Sequence, residues 1–199
     1  MNLWTLENEI SASTGLVFLA GVDEAGRGPL AGPVCAAACL LPRGLEIPGL
    51  DDSKKLSPKK REELYDVIIN SSLTYGIAFA SVEEIESFNI LNATFLAMNR
   101  AIEKLDPQPD LVLVDGNRNT GIHVPSRCIV KGDSQCADIA AASILAKVTR
   151  DRYMLTMAEQ YPEYGFEKHK GYGTALHYEA LRAYGPCPIH RLSFLKKMH

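Results

Sequence analysis

The sequence lacks the features of a membrane or secreted protein. Its longest apolar run, Val34 to Leu41, is far shorter than the roughly 20 residues that a membrane-spanning helix needs. The first residues include Glu7 where a signal peptide would carry Lys or Arg. We therefore expect a cytoplasmic protein with no membrane partner.

The number and spacing of the cysteines argue against a disulfide framework and against a cysteine metal site. No CxxC pair occurs, and five cysteines cannot all pair within one chain, so disulfide-rich and zinc-thiolate classes are disfavoured. We expect free thiols in a reducing compartment. The positions are Cys35, Cys39, Cys128, Cys136 and Cys187.

Charge is nearly balanced, at a formal −3 over 199 residues, which argues against a protein that coats nucleic acid nonspecifically. The basic residues are nevertheless uneven, with one cluster at Lys54–Arg61 and an excess beyond Lys147. An acidic centre between basic segments suits an enzyme that holds cations and a polyanion together. An ordinary solvated surface explains the same charges equally well.

Alternating apolar runs and helix signals predict an α/β fold. Strands are predicted at 16–22, 34–41, 74–80, 111–114 and 128–130, and helices at 59–70, 81–104 with a break near Asn89, 134–160 and 174–184. Three meandering strands, then strands that alternate with helices, predict a mixed sheet flanked by helices. We expect one structural unit, with residues 1–160 as the main domain and 161–199 as a helical C-terminal extension.

Acidic residues occur where predicted strands end. Asp23 and Glu24 follow the first strand, Asp115 ends the strand at 111–114, and Asp133 precedes the long helix. Carboxylates without nearby His or Cys favour Mg²⁺ or Mn²⁺. Two such ions about 4 Å apart would support phosphodiester hydrolysis.

Each acid also has an interpretation without function: a solvated strand end, a turn at Asp115-Gly116, or a helix cap at Asp133. Neighbouring strand residues point to opposite faces, so Asp23 and Glu24 share one site only if the strand kinks or ends there. Gly26 makes such a break plausible.

Longer motifs are more specific than these acids. The segment Gly21–Val34 reads GVDEAGRGPLAGPV, and further motifs follow in order: DSKKLS at 52–57, VDG at 114–116, KGD at 131–133, AAASILAKVTRD at 140–151, KGYGT at 170–174 and PIHRLSF at 188–194. Together they resemble the ribonuclease HII family over residues 17–194.

The resemblance implies an RNase H-like fold with a five-stranded mixed sheet flanked by helices and a helical C-terminal extension. It implies an endonuclease that hydrolyses the RNA strand of RNA–DNA hybrids, including single ribonucleotides embedded in DNA, and leaves 3′-hydroxyl and 5′-phosphate ends. The family's metal-binding acids fall on Asp23, Glu24, Asp115 and Asp133. On this resemblance, Asp23 would bridge two ions and Glu24 and Asp115 would complete their coordination shell. Asp133 would assist one ion or the product side.

The resemblance also implies which residues contact the substrate. Gly26-Arg27-Gly28 would read the ribose 2′-hydroxyl, and Tyr172 would stack on the next deoxyribose. Phosphate contacts are expected from Ser53, Lys54, Lys147 and Lys170. Arg27 would contact the phosphate or bridge nearby acids, and the two glycines could simply form a tight turn. His190 and Arg191 are expected to be structural.

Two other functions stay open: a nucleic-acid-binding module without catalysis, and a DNA junction nuclease on the same fold. The glycine turn and Tyr172 favour the ribonuclease, because an enzyme specific for DNA has no 2′-hydroxyl to sense. The sequence further suggests a monomer.

Overall fold

The computed structural model describes residues 2–196, so Met1 and residues 197–199 at the tip of the predicted extension lie outside the described residues. Five strands form one sheet in the order β3-β2-β1-β4-β5. β1 pairs with β2 and β2 with β3 in antiparallel fashion, whereas β1–β4 and β4–β5 are parallel. The strands are β1 Leu19–Ala25, β2 Val34–Leu40, β3 Thr74–Ala80, β4 Leu111–Asp115 and β5 Ser126–Ile129. The predicted five-stranded mixed sheet is confirmed.

Helices cover both faces of this sheet. α3 packs on the face formed by Ala20, Val22 and Ala36, and α4 packs on the opposite face with Ala37 and Cys39, as alternation along a strand requires. The helices are α1 Thr5–Thr14, α2 Pro58–Ser71, α3 Val82–Ile102, α4 Ala137–Gln160, α5 Phe166–His169, α6 Ala175–Tyr184 and α7 Leu192–Leu195. None of those helices is both long and apolar enough to span a bilayer.

Helix starts follow local chemistry. The Ser57 hydroxyl accepts from the N–H of Lys60, and Pro58 occupies the first turn of α2. Ser81 and Glu84 form a capping box at the start of α3. Asn89 interrupts α3 with φ 66°, which confirms the predicted break.

Several elements differ from the prediction. β1 continues through Asp23 and Glu24 to Ala25, so these acids lie inside the strand rather than after it. The helix predicted to begin at Ser134 begins at Ala137, because Gly132–Ser134 forms a separate 3₁₀ turn. Helix α1 was not predicted, since its apolar positions are few.

Small residues bring α4 close to the sheet. A Cβ on Gly21 would lie 2.1 Å from the backbone carbon of Asp138 and from the N atom of Ile139. Only glycine allows this contact between β1 and the first turn of α4. Asp23, two residues further along β1, is thereby held next to α4.

The C-terminal region packs against the main body. Tyr164 and Phe166 share an apolar cluster with Met154 of α4 and with Leu30 and Ala31, which follow β1. Ala31 and His190 form an isolated β-bridge. The segment 161–196 therefore borders the loop that leaves β1.

Candidate active site

Three carboxylates converge at one end of the sheet. Asp23 lies in β1, Asp115 is the last residue of β4, and Asp133 lies in the 3₁₀ turn before α4. One carboxylate oxygen of each lies within 4.8 Å of the others. Because β1 and β4 are adjacent and parallel, their carboxyl ends meet at the same edge. The fold thus brings together acids from distant parts of the chain.

These carboxyl groups are poorly hydrated and repel one another. Asp23 and Asp133 are each 4% exposed. Burial raises the pKa of Asp23, and the negative charges of Glu24 and Asp115 raise it further. Burial and the charge of Asp115 also raise the pKa of Asp133. Oxygen ligands with these properties, without His or Cys, fit a hard divalent cation.

Hydrogen bonds fix the acids in place. Oδ1 of Asp115 accepts from the N–H of Gly132 at 2.7 Å, and Oδ1 of Asp23 accepts from the N–H of Glu24 at 2.7 Å. The Ser143 hydroxyl of α4 partly offsets the rise in the pKa of Asp23. The acid geometry is therefore supported by β1, α4 and the loop before α4.

Glu24 lies outside this group of three but borders the same cleft. Its Oε1 atom lies 3.3 Å from Nη1 of Arg27. Burial raises the pKa of Glu24 and the Arg27 charge opposes that rise. Glu24 and Asp115 line a cavity of about 390 Å³ together with Arg118. The alternation of β1 thus separates Glu24 from Asp23 while leaving both next to Asp115.

Residues 26–28 form a turn directly beside the acids. Gly26 has φ +99°, a conformation that residues with a side chain rarely adopt. A Cβ on Gly28 would lie 3.8 Å from Cε1 of Tyr172, so the turn faces the tyrosine ring. Tyr172 is 44% exposed, and Nζ of Lys147 lies 5.9 Å from its ring centre.

The other predicted phosphate contacts have different surroundings. Nζ of Lys54 lies 3.3 Å from Oδ2 of Asp133, and Nζ of Lys147 lies 2.7 Å from Oδ1 of Asp151. Lys170 donates to the carbonyl of Glu167. The Ser53 hydroxyl is buried and lies 2.7 Å from the Ser143 hydroxyl, which disfavours a direct phosphate contact.

Several residues at the site were not singled out from the sequence. Ser143 lies in the motif at 140–151, and a serine inside this alanine-rich helical run was a usable signal. His190 and Arg191, expected to be structural, are buried. Arg150 and Arg191 donate only to backbone carbonyls, and no sequence pattern marks such contacts.

The sequence matches the family model described as ribonuclease HII over residues 20–197. The chain belongs to the ribonuclease HII family. Its curated relatives include the ribonuclease HII of Caldicellulosiruptor bescii, 53% identical over 99% of this chain and 95% of the relative. That of Marinomonas sp. is 59% identical over 89% of each chain.

Solved structures agree with this assignment. The ribonuclease H2 of Pyrococcus horikoshii superposes with a TM-score of 0.73 at 28% identity, over 89% of this chain and 93% of that one. The RNase HII of Archaeoglobus fulgidus, solved in complex with PCNA, gives 0.71 at 25% identity over 88% and 94%. The RNase H-like fold is thus confirmed, and this ribonuclease HII family member is an endonuclease of the ribonuclease H type.

Proposed function

We propose that this protein hydrolyses the RNA strand of RNA–DNA hybrids, including a single ribonucleotide within duplex DNA, and leaves 3′-hydroxyl and 5′-phosphate ends. The observation that carries the proposal is the approach of Asp23, Asp115 and Asp133 to within 4.8 Å beside the Gly26–Gly28 turn. Acids for metal-assisted hydrolysis and a turn for ribose recognition therefore share one cleft.

The proposed cofactor is a pair of divalent ions, Mg²⁺ or Mn²⁺, held by Asp23, Glu24, Asp115 and Asp133. The all-oxygen donor set and the repulsion among buried carboxyls support it. An RNase HIII of the same fold, 19% identical, has been solved in complex with Mn²⁺. Bound ions would supply Lewis-acid activation of the attacking water and stabilise charge on the leaving oxygen.

The protein side chains would orient the substrate around this centre. Arg27, with 49% of its side chain exposed, is within reach of a phosphate once its contact with Glu24 opens. Lys54, 75% exposed beside Asp133, is placed for a second phosphate. Tyr172 offers an exposed ring for stacking on the deoxyribose that follows the ribonucleotide.

Recognition of the ribose is assigned to the backbone of Gly26-Arg27-Gly28. A backbone group that contacts a sugar at this point forms a hydrogen bond with a 2′-hydroxyl that DNA cannot offer. This separates the proposal from a junction nuclease or a binding module on the same fold. We further expect a monomer that acts in the cytoplasm.

The test is cleavage of a DNA duplex that carries one ribonucleotide, compared with the identical all-DNA duplex, in Mg²⁺ or Mn²⁺. We expect a single cut beside the ribonucleotide, with 3′-hydroxyl and 5′-phosphate product ends, and no cut in the all-DNA duplex. Equal cutting of both duplexes would refute the ribose specificity. Binding of both without any cutting would favour the non-catalytic module.

A further inference from the structure

Arg150 of α4 and Arg191, which precedes α7, are buried without an anionic partner. Both are 0% exposed. Within residues 2–196 neither forms an ion pair with a carboxylate. Burial lowers the pKa of Arg191 to about 9. A buried guanidinium is costly unless every donor finds a partner, so their contacts indicate a specific task.

Every hydrogen bond from these two guanidinium groups goes to a backbone carbonyl. Arg191 donates to Gly32 at 2.8 Å, Arg27 at 3.0 Å, Pro29 at 2.9 Å and Gly26 at 2.6 Å. Arg150 donates to Pro33, Ala31 and Lys170, each at 3.0 Å. All but the Lys170 carbonyl belong to residues 26–33, which we call the glycine turn.

These bonds fix the direction of the peptide groups in the glycine turn. In a trans peptide the C=O and the following N–H point in opposite directions. Arg191 holds the carbonyls of Gly26 and Arg27 inward, so the N–H groups of Arg27 and Gly28 point away from it. Both residues are exposed, and within residues 2–196 their N–H groups have no acceptor.

We propose that Arg191 is a positioning residue that turns the N–H groups of Arg27 and Gly28 toward the ribose 2′-hydroxyl. This inference rests on the proposed function, because it assumes that the glycine turn reads the sugar. It adds Arg191 as the residue that orients these N–H groups from the buried side of the turn. Arg191 contacts the turn and not the substrate.

Arg150 links the glycine turn to the loop that carries Tyr172. Its guanidinium donates to Ala31 and Pro33 in the glycine turn and to Lys170, two residues before Tyr172. The N–H of Leu30 also donates to the Gly171 carbonyl at 2.8 Å. The two substrate-facing segments therefore share a buried scaffold.

The decisive variant is Arg191→Lys, which keeps the charge but not the planar fork of donors. We expect kcat/KM on the duplex with one ribonucleotide to fall about tenfold, as expected if one or two hydrogen bonds are lost. The inhibition constant of the all-DNA duplex and the divalent-ion concentration for half-maximal rate should not change. The matched control Arg152→Lys, on the exposed side of α4, should change none of these.

Two outcomes would overturn the proposal. An unchanged kcat/KM would show that the guanidinium of Arg191 is dispensable. A loss of all-DNA binding equal to the loss in kcat/KM would show a general structural role. If wild-type protein does not cut the ribonucleotide duplex, the proposed function fails irrespective of Arg191.

Amide hydrogen exchange of the wild-type protein provides a second measurement that does not depend on the variant folding. We expect fast exchange at Arg27 and Gly28, and protection at Leu30 and Gly32, whose N–H groups donate to Gly171 and Ile189. Protection of Arg27 and Gly28 in the free protein would mean that their N–H groups point inward, which would also overturn the proposal.

Discussion

Oδ1 of Asp115 accepts a 2.7 Å hydrogen bond from the N–H of Gly132, the residue before Asp133. One side chain thus ties the end of β4 to the loop that carries the next acid. This hydrogen bond helps to set the spacing of the two carboxylates.

Asp23→Asn is expected to abolish hydrolysis, with a loss of at least about 100-fold, while binding of the hybrid is largely retained. Residues that merely orient metal ligands cost up to about 100-fold, and Asp23 is proposed as a ligand. Removal of a buried charge that Glu24 and Asp115 repel should also stabilise the ion-free protein.

Cleavage rates, hybrid affinity and thermal unfolding without ions would check the effects of Asp23→Asn. Asp51→Asn is the matched control, because Asp51 pairs with Lys55 on the surface. It should leave hydrolysis unchanged. Near wild-type cutting by Asp23→Asn would refute the metal assignment.

Tyr172→Ala should reduce cleavage at a ribonucleotide–deoxyribonucleotide junction by about tenfold, because stacking on an aromatic ring contributes about 1–3 kcal/mol. Tyr172→Phe should retain most of the activity, since it keeps the ring. Tyr184→Ala is the control, as Tyr184 is also exposed but its ring packs against Tyr164 rather than facing Gly28. Steady-state rates and ion titrations would be measured, and a defect confined to ion binding would contradict the stacking role.

Alanine at Gly26 and alanine at Gly28 should have different effects. At Gly26 the added Cβ would lie 1.9 Å from Nε of Arg150 at φ +99°, so we expect a loss of about 2 kcal/mol or more in unfolding free energy. At Gly28 it would meet only the Tyr172 ring, at 3.8 Å, so stability should stay within about 0.5 kcal/mol. Gly28→Ala should nevertheless slow cleavage, because the methyl group occupies the proposed sugar site. Denaturant unfolding and cleavage assays of both variants test this contrast, and equal stabilities would disprove the close packing at Gly26.

Glu7 of α1 and Asp138 of α4 give a pH-dependent contribution to stability. Glu7 is 0% exposed, and its Oε2 has no hydrogen-bond partner within residues 2–196. Its Oε1 accepts from the N–H of Asp138 and the thiol of Cys136, and Oδ1 of Asp138 accepts from the N–H of Leu41. Burial raises the pKa of both carboxyls, and the charge of Glu7 adds to the effect on Asp138.

The sign of this contribution follows from proton binding. Both carboxyls hold protons to higher pH in the folded state than in the unfolded chain, where values near 4.5 and 3.8 apply. Their favourable contribution is complete below those values and is lost as pH rises through the raised folded ones. Glu7→Gln should therefore make the protein more stable near neutral pH and reduce the loss of stability above pH 4.

Urea unfolding between pH 4 and 8 would measure the effect of Glu7→Gln, with Glu9→Gln on the exposed side of α1 as control. The buried histidines have lowered pKa values and contribute in the opposite direction, but they are the same in each variant. Parallel pH profiles for wild type and Glu7→Gln would refute the assignment.

Much of the fold could be predicted because apolar periodicity and capping signals are local. Asp115 was correctly placed at a strand end, since four apolar residues precede it and Gly116 follows. The end of β1 could not be predicted, because Asp23 and Glu24 are poor strand formers whose position is set by pairing with Ala37 and Ala36 of β2.

The candidate site was predictable as a set of acids but not as an arrangement. The separation of Glu24 from the other three follows from strand alternation once β1 is known to extend past it. The contacts of Arg150 and Arg191 could not be predicted from the sequence, because their partners are backbone carbonyls, which every residue carries. Nothing in the sequence marks Glu7 as buried, since its burial against Cys136 and Asp138 depends on the docking of α1.

The contact at Gly21 places an unusual constraint on redesign of this enzyme. Filling gaps in a core with an extra methyl group is a common route to thermostability. At Gly21 the same change would act as a wedge between β1 and α4, which together support Asp23, and would shift its carboxylate relative to Asp115. Binding of the proposed ions would then change along with stability, so neither property could be tuned alone through this position.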